Sequence, residues 1–282
     1  MFLPPLPLTP TLSRKGRGKT VAYRQPDRHR LKPISAAAVL LLVAACTAGT
    51  HVPPFGRVPF EPFSRDAVVA ITLREWRAFG SVIAPTDPVE KPERQQGLWQ
   101  RVGEYWWLGL DLSTPDASWT GKHDARGRVF PPERDEAFAW SAAFVSYVMR
   151  MAGAGAGFPY SASHDAYIHA ALRGDPAWAI AAERPEAYAP RPGDLICAGR
   201  EESADLGFDD LPSTPAFEGH CDIVVATGGP EGLAAIGGNV WDAVALRHFP
   251  VAPGGRLVQA DPAVKWLAVL RLREKASLLP PG

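Results

Sequence analysis

The stretch 138–150, FAWSAAFVSYVMR, limits the possible folds of this chain more than any other. Its apolar residues recur at the spacing of a helix with a buried face, and the acidic run 133–136 stands where a helix N-terminus attracts negative charge. We therefore expect a buried helix over 136–152, ended by the glycine-rich stretch 153–157. Ser141 lies near its start, either as a tolerated polar residue or as a reacting group that the helix dipole assists.

Patterns around this helix predict an α+β domain. Further helices are expected over 66–80, 94–108 and 161–172. Alternating apolar segments bounded by glycine and proline predict strands over 194–198, 221–227, 233–238, 243–250 and 265–272. Because the connections are short, these strands should be antiparallel neighbours in a small meander on which the N-terminal helices pack.

The second and third of these strands place candidate catalytic residues opposite each other. If 228–231 is a four-residue loop, His220 faces Asn239, and directly opposed Cβ atoms lie about 4.5–5.5 Å apart. Asp222 shares the face of His220 through the two-residue period and lies opposite Gly237. The hairpin therefore predicts a His–Asn or a His–Asp pair.

Four motifs occur in the order of a known family. They are W-S-A-A-F-V at 140–145, P-G-D-L at 192–195, G-H-C-D-I-V at 219–224 and I-G-G-N at 236–239. The series resembles the CHAP amidase/peptidase family, which belongs with the NlpC-type cell-wall peptidases in the papain-like group. There the motifs read W-C-x-x-F-V, P-G-D-L, G-H-x-x-I-V and E-G-N, with the nucleophilic cysteine on the helix and the histidine on the second strand. The likeness covers roughly residues 138–245.

Two positions depart from that pattern: Ser141 stands at the cysteine position and Gly237 at the glutamate position. The chain also resembles an uncharacterised branch of the group, a domain-of-unknown-function family in which serine replaces cysteine. The resemblance implies a papain-like, CHAP-like fold and an amidase or peptidase that acts on peptidoglycan peptides without a cofactor. Ser141 would be the nucleophile, His220 the base, and Asn239 or Asp222 the group that orients it. The alternative is a catalytically inactive protein of this fold that binds the cell wall.

Four further residues are expected to line the substrate site. They are Trp140, Trp119, His164 and Asp165. The aromatic residues of the helix 94–108 can stack on sugars, although helical spacing favours the core. His220, Asp222, His164 and Asp165 match no compact metal-ligand spacing, so no metal is expected.

The N-terminus predicts export. The basic segment 28–32 precedes an apolar run over 36–46, and its end, V-A-A-C, resembles the bacterial lipobox, in which the cysteine is lipidated. This assigns 1–45 to a leader, 46–64 to a proline-rich tether and 65–275 to a single domain. Thr47 after Cys46 favours the outer membrane, facing the periplasm. The alternative is a plain signal peptide that contains a cysteine.

Charge and cysteine content narrow the partners and the compartment. Eight Lys/Arg and one Asp precede residue 46, which leaves 22 basic and 29 acidic residues, a balance of −7. Nucleic acid is therefore not an expected partner, because phosphate binding requires a basic face. Cys197 and Cys221 should lie on neighbouring strands, either as two buried thiols or as a disulfide formed in an oxidising periplasm.

Overall fold

The computed structural model describes residues 62–84, 91–259 and 265–273, and all of them belong to one compact unit, Pro59–Gly282. The leader, Cys46 and nearly all of the tether lie outside the described residues. Within the described part of the chain, no helix has the length and apolar character needed to cross a membrane.

Helices occur close to the predicted positions. The α-helices of the described residues are α1 (Arg65–Ala78), α2 (Leu98–Gly109), α3 (Ser141–Met151) and α4 (His164–Leu172). The predicted start of the central helix is wrong, because 132–138 forms a separate 3₁₀ helix. Asp135 in this turn makes ion pairs with Arg94 at 2.6 Å and Lys91 at 2.8 Å. These ion pairs hold the acidic run outside α3. The helix α3 begins at Ser141 itself.

Seven strands of the described residues form one mixed sheet. They are β1 (Val82–Ile83), β2 (Ile180–Glu183), β3 (Leu195–Gly199), β4 (Gly219–Gly229), β5 (Gly232–Val240), β6 (Ala243–Phe249) and β7 (Trp266–Leu272). The order is β1-β6-β5-β4-β3-β7-β2, so β3 to β6 form the predicted antiparallel meander. The last strand departs from it, because β7 inserts between β3 and β2 instead of joining β6. The α+β class is confirmed.

The β4–β5 hairpin has the predicted register away from its turn. Ile223 pairs with Ile236, and the next pair follows the same register. Near the turn the register shifts twice, and Gly229 pairs with Gly232. The predicted four-residue loop is therefore wrong, and the bulges absorb the difference before the ladder reaches the site residues.

Two glycines let α3 pack closely on its neighbours. A Cβ on Gly109 of α2 would lie 2.6 Å from the carbonyl oxygen of Ala143, and one on Gly238 of β5 would lie 2.5 Å from the Cβ of Phe144. Any larger residue would push α3 away. Because Phe144 is fully buried, its removal from water contributes on the order of 2–3 kcal/mol to folding.

A disulfide joins Cys197 of β3 to Cys221 of β4, and the two Cα atoms are 4.1 Å apart. The two residues are directly paired in the ladder, which confirms the prediction that they lie on neighbouring strands. Of the two alternatives, the structure forms the bridge. Cys221 stands between His220 and Asp222, so the bond also ties the start of β4 to β3.

Candidate active site

Ser141 is the first residue of α3 and is buried, with 6% of its surface exposed. Its Oγ lies 2.7 Å from Nε2 of His164, the first residue of α4. The predicted hydrogen bond from Ser141 to His220 is therefore not formed, and a different histidine takes that place. Two hydrogen bonds between Ser146 and the backbone of Ser161 hold the segment before α4 against α3, which brings His164 to the start of α3.

His164 is held from its other side by a tyrosine. The hydroxyl group of Tyr167, one turn further along α4, contacts Nδ1 of His164. Burial, and to a smaller extent the nearby His220, lowers the pKa of His164 well below its usual value. The ring is therefore neutral at neutral pH.

His220 adjoins this pair and has one engaged and one unengaged nitrogen. Its ring centroid is 5.4 Å from that of His164. Its Nε2 lies 3.0 Å from Oδ1 of Asp222, which confirms the contact predicted from the two-residue period. Its Nδ1 is buried and has no hydrogen-bond partner within the described residues. Burial lowers the pKa of His220, although Asp222 raises it in part.

Asp222 is the charged residue of the cluster. Its Oδ2 accepts two hydrogen bonds from Arg247 of β6, at 2.5 and 3.1 Å. Burial alone would raise the pKa of Asp222, but the charge of Arg247 and the bonds from Arg247 and His220 lower it to about 2. As a carboxylate, Asp222 accepts a hydrogen bond from Nε2–H of neutral His220, and Nδ1 of that ring then carries a lone pair.

Gly237 leaves the room that the carboxylate needs. A Cβ at this position would lie 2.0 Å from Oδ1 of Asp222 and 2.8 Å from Nε2 of His220. A glutamate at 237, as in the E-G-N motif, is thus incompatible with this arrangement. The carboxylate of Asp222, on the neighbouring strand, occupies the space that a side chain at 237 would need.

Asn239 does not take the predicted role of orienting His220. The nitrogen it would have met, Nδ1, has no partner among the described residues, and Nε2 is held by Asp222. The register of β5 shifts between Gly237 and Val240, and Asn239 adopts a φ of +56°. The register that placed Asn239 opposite His220 assumed a regular strand. This departure from the strand removes Asn239 from that position.

The residues predicted to line the substrate site differ in burial and in their contacts. Trp140 is fully buried against Phe79, so it cannot line an open cleft. Its indole N–H donates to Oε2 of Glu93 at 2.5 Å. Trp119 is partly buried and packs edge to face on Phe138. Asp165 accepts a hydrogen bond from Ser163, whereas the side-chain hydrogen bonds of Ser141 and His220 go to His164 and Asp222.

Sequence reasoning missed three residues of this region. Tyr167 follows His164 at a spacing of three, which on a helix places the side chains together, so this contact was recognisable. Arg247 reaches Asp222 across β5 at Gly237, a gap that only the sheet order reveals. No pattern in the sequence indicated Glu93, which is buried beneath Trp140. Its burial raises its pKa to about 8, although the hydrogen bond from Trp140 opposes this shift in part.

A metal site is not apparent in this cluster. Among the residues that the structure describes, no group of three His, Cys, Asp or Glu side chains is arranged to hold a metal ion. The chemistry available is instead that of a hydroxyl, two neutral imidazoles and a carboxylate fixed by an arginine. Such a set can transfer a proton from the hydroxyl to an imidazole, as nucleophilic catalysis requires.

Fold and site together define an α+β protein with a buried Ser–His–His–Asp cluster at the start of its central helix. The chain belongs to the family of uncharacterized proteins conserved in bacteria (DUF2272), whose model matches residues 93–272, more than half of the chain. The expected membership of a domain-of-unknown-function family is thereby confirmed. Comparison with curated proteins and with solved structures gives no match.

Proposed function

We propose that this protein is a hydrolase of amide bonds in which Ser141 is the nucleophile, His220 the general base and Asp222 the residue that orients the base. The observation that carries the proposal is the hydrogen bonding of the two ring nitrogens of His220. Its Nε2 is held by Asp222, while its Nδ1 is buried and without a partner among the described residues. A buried nitrogen normally has a partner, and one without a partner needs an explanation. A proton acceptor for Ser141 is such an explanation.

The serine needs this base more than a cysteine would. A helix N-terminus favours a thiolate, but it cannot make an alkoxide from a hydroxyl group of ordinary acidity. Ser141 and His220 both adjoin the ring of His164, and no hydrogen bond joins them in this structure. In the proposed mechanism Oγ of Ser141 approaches Nδ1 of His220 when substrate is bound, as catalytic hydrogen bonds often tighten only then.

The substrate class we propose is the peptide part of peptidoglycan. Its support is the order of the four sequence motifs, which resembles that of the CHAP amidases and peptidases. The position of Ser141 at the start of the central helix and of His220 at the start of β4 agrees with the placement of nucleophile and histidine that this likeness implies.

A catalytically inactive, wall-binding protein of the same fold is the second candidate. The observation that favours it is the burial of the site: Ser141 is 6% exposed and His220 is 8% exposed. In addition, the hydroxyl of Ser141 is engaged by His164 rather than by His220. Binding of wall peptides would then use the outer surface of the domain.

We further propose that the mature protein is anchored to the outer membrane through a lipid on Cys46 and faces the periplasm. The support is the V-A-A-C junction after an apolar run. Expressed in its host, the wild type should partition with membranes, and Cys46→Ser should be released or remain a precursor. A mature wild-type protein without an acyl group at Cys46 by mass spectrometry would refute the anchor.

The hydrolase is tested by digestion of purified peptidoglycan, with the released muropeptides identified by mass spectrometry. Ser141→Ala and His220→Ala should abolish cleavage, whereas Ser141→Cys should retain or raise it because the helix N-terminus favours a thiolate. Ser163→Ala is the matched control, since this exposed serine stands beside His164 but directs its hydroxyl to Asp165. Cleavage that survives in Ser141→Ala would eliminate Ser141 as the nucleophile. If the wild type binds peptidoglycan without cleaving it, the inactive reading replaces the hydrolase.

A further inference from the structure

The direction of the hydrogen bonds around His164 follows from the groups that surround it. The ring contacts the hydroxyl of Tyr167 through Nδ1 and the hydroxyl of Ser141 through Nε2. A neutral imidazole donates at one nitrogen and accepts at the other. Two arrangements are therefore possible. In the first, Nε2 of His164 accepts a hydrogen bond from the Ser141 hydroxyl; in the second, Nε2–H of His164 donates a hydrogen bond to Oγ of Ser141.

The first arrangement leaves a buried group unpaired. If His164 donated from Nδ1 to Tyr167, the tyrosine proton would need another acceptor. Tyr167 is fully buried, and within the described residues His164 is the one hydrogen-bond partner of its hydroxyl group. Nδ1 of His220 lacks a donor in either arrangement, so the tyrosine proton is what distinguishes them. Each such buried, unsatisfied group costs about 1–3 kcal/mol.

The second arrangement pairs both ring nitrogens of His164 and the proton of Tyr167. Tyr167 donates to Nδ1 of His164, and Nε2–H of His164 donates to Oγ of Ser141. The serine proton is then free to be donated in turn, and the group that lacks a donor is Nδ1 of His220. The chain continues from Nε2–H of His220 to Asp222, whose carboxylate is held by Arg247.

We propose that His164 is a further catalytic residue, which donates a hydrogen bond from Nε2 to the reacting oxygen of Ser141 and does not take the serine proton. This inference rests on the proposed hydrolase function and assigns the two histidines of the site different roles. His220 is the base, and His164 is the donor that holds Oγ of Ser141 in position with its proton directed away from the His164 ring.

The reaction balances with these roles. Oγ of Ser141 forms a bond to the substrate carbonyl carbon, its proton moves to Nδ1 of His220, and the carbonyl π electrons move onto the carbonyl oxygen. The C–N bond then breaks as His220 returns the proton to the leaving nitrogen. Water next attacks the acyl-serine and gives a proton to His220, the bond between Oγ and the acyl carbon breaks as His220 returns that proton to Oγ, and the carboxylic acid leaves. Throughout, His164 keeps its ring proton, which Tyr167 secures by donating to the opposite nitrogen.

The tautomers can be measured without any substrate. The ring ¹⁵N shifts of the full chain, labelled with ¹⁵N-histidine, distinguish protonated from bare nitrogens, and the chain has seven histidines. Signals of the two site histidines are assigned from their absence in His164→Gln and His220→Gln. The proposal expects both rings to carry their proton on Nε2 at neutral pH. A His164 ring that carries its proton on Nδ1 would overturn it and would make His164 the base for Ser141.

The kinetic test uses His164→Gln and His220→Gln again and adds His164→Ala. Gln presents an N–H near the position of Nε2 but cannot accept the serine proton as an imidazole does. His164→Gln should keep kcat within about tenfold of wild type, whereas His164→Ala should lose about 10²-fold, as expected when the reacting oxygen is no longer held in position. His220→Gln should abolish turnover. Equal and complete loss in His164→Gln and His220→Gln would contradict the donor role. If the wild type cleaves nothing while both rings are Nε2-protonated, the hydrolase proposal fails and the hydrogen-bond direction stands.

Discussion

Two buried polar clusters touch α3, and they differ in how completely their hydrogen bonds are satisfied. In the first, the buried carboxylate of Glu75 on α1 accepts two hydrogen bonds from Arg101, at 2.5 and 2.7 Å, and one from Tyr105 at 2.9 Å. Arg74 adds a fourth bond at 2.9 Å. In the second cluster, which contains Ser141, a buried nitrogen of His220 has no partner among the described residues.

The difference separates a structural network from a candidate reactive one. The Glu75 cluster joins α1 to α2, and Arg74 extends it to the hydroxyl of Tyr147 on α3. Each oxygen of its carboxylate has a partner, so nothing is left to react. The Ser141 cluster holds a histidine, His220, that is fixed in orientation by Asp222 and has one nitrogen without a partner among the described residues. Such an unpaired group costs stability and needs an explanation, which a function would provide.

The largest expected effect is on the satisfied cluster. Glu75→Gln keeps the shape of the side chain but removes the charge that pairs with Arg101, so it should lower the free energy of unfolding by about 3 kcal/mol. Ser141→Ala should change it by less than about 1 kcal/mol. Urea unfolding followed by tryptophan fluorescence measures both. Equal losses in the two variants would abolish the distinction between the clusters.

A smaller effect is expected at Glu93, a buried carboxyl whose partner is the neutral indole of Trp140 rather than an arginine. Because burial raises its pKa to about 8 from an ordinary value of 4.5, the folded state binds the proton more tightly than the unfolded one. The stabilising contribution is present below pH 4.5 and is lost as pH rises through 8.

Glu93→Gln tests whether the free energy of unfolding falls as pH rises because of Glu93. The amide resembles the protonated acid and does not titrate, so between pH 5 and 9 the variant should gain stability relative to wild type, on the order of 1–3 kcal/mol. Unfolding free energies of both proteins across this range measure the difference, and Glu75→Gln provides the contrast of a carboxyl paired with arginine. A constant difference between wild type and Glu93→Gln at all pH values would show that Glu93 does not titrate there.

The smallest effect is expected at Asn239. Its φ of +56° lies in the left-handed region that glycine adopts readily, and it does not bond the ring nitrogens of His220. Asn239→Gly should therefore change the free energy of unfolding by less than about 0.5 kcal/mol and leave the rate of peptidoglycan cleavage near that of the wild type. Asp222→Asn is the matched comparison and should lose most of the activity. A large loss in Asn239→Gly would restore the role that the motif resemblance gave it.

The fold could be predicted from the sequence wherever the pattern was local. The four helices and the antiparallel strands β3 to β6 follow from periodicity and turn residues. The insertion of β7 between β3 and β2 could not be predicted, because it depends on long-range pairing that no local pattern encodes. The start of α3 was misplaced because the ion pairs of Asp135 with Arg94 and Lys91 come from a distant part of the chain.

The site shows the same division. His220 and Asp222 follow from the two-residue period of one strand, and Ser141 from the motif order. Its contact with His164 depends on how α4 is placed against α3, which the backbone bonds between Ser146 and Ser161 decide. Asn239 was misassigned because a single left-handed residue and a register shift end the ladder early.

Reaction of the folded full chain with a fluorophosphonate probe tests the central claim most directly, because modification requires a serine activated by a neighbouring base. The site mapped by mass spectrometry should be Ser141. Labelling should disappear in Ser141→Ala and in His220→Gln but persist in the control Ser163→Ala. Absence of label on the wild type, under conditions in which an active serine hydrolase in the same reaction is labelled, would contradict the account, as would labelling of Ser141 that is unchanged in His220→Gln.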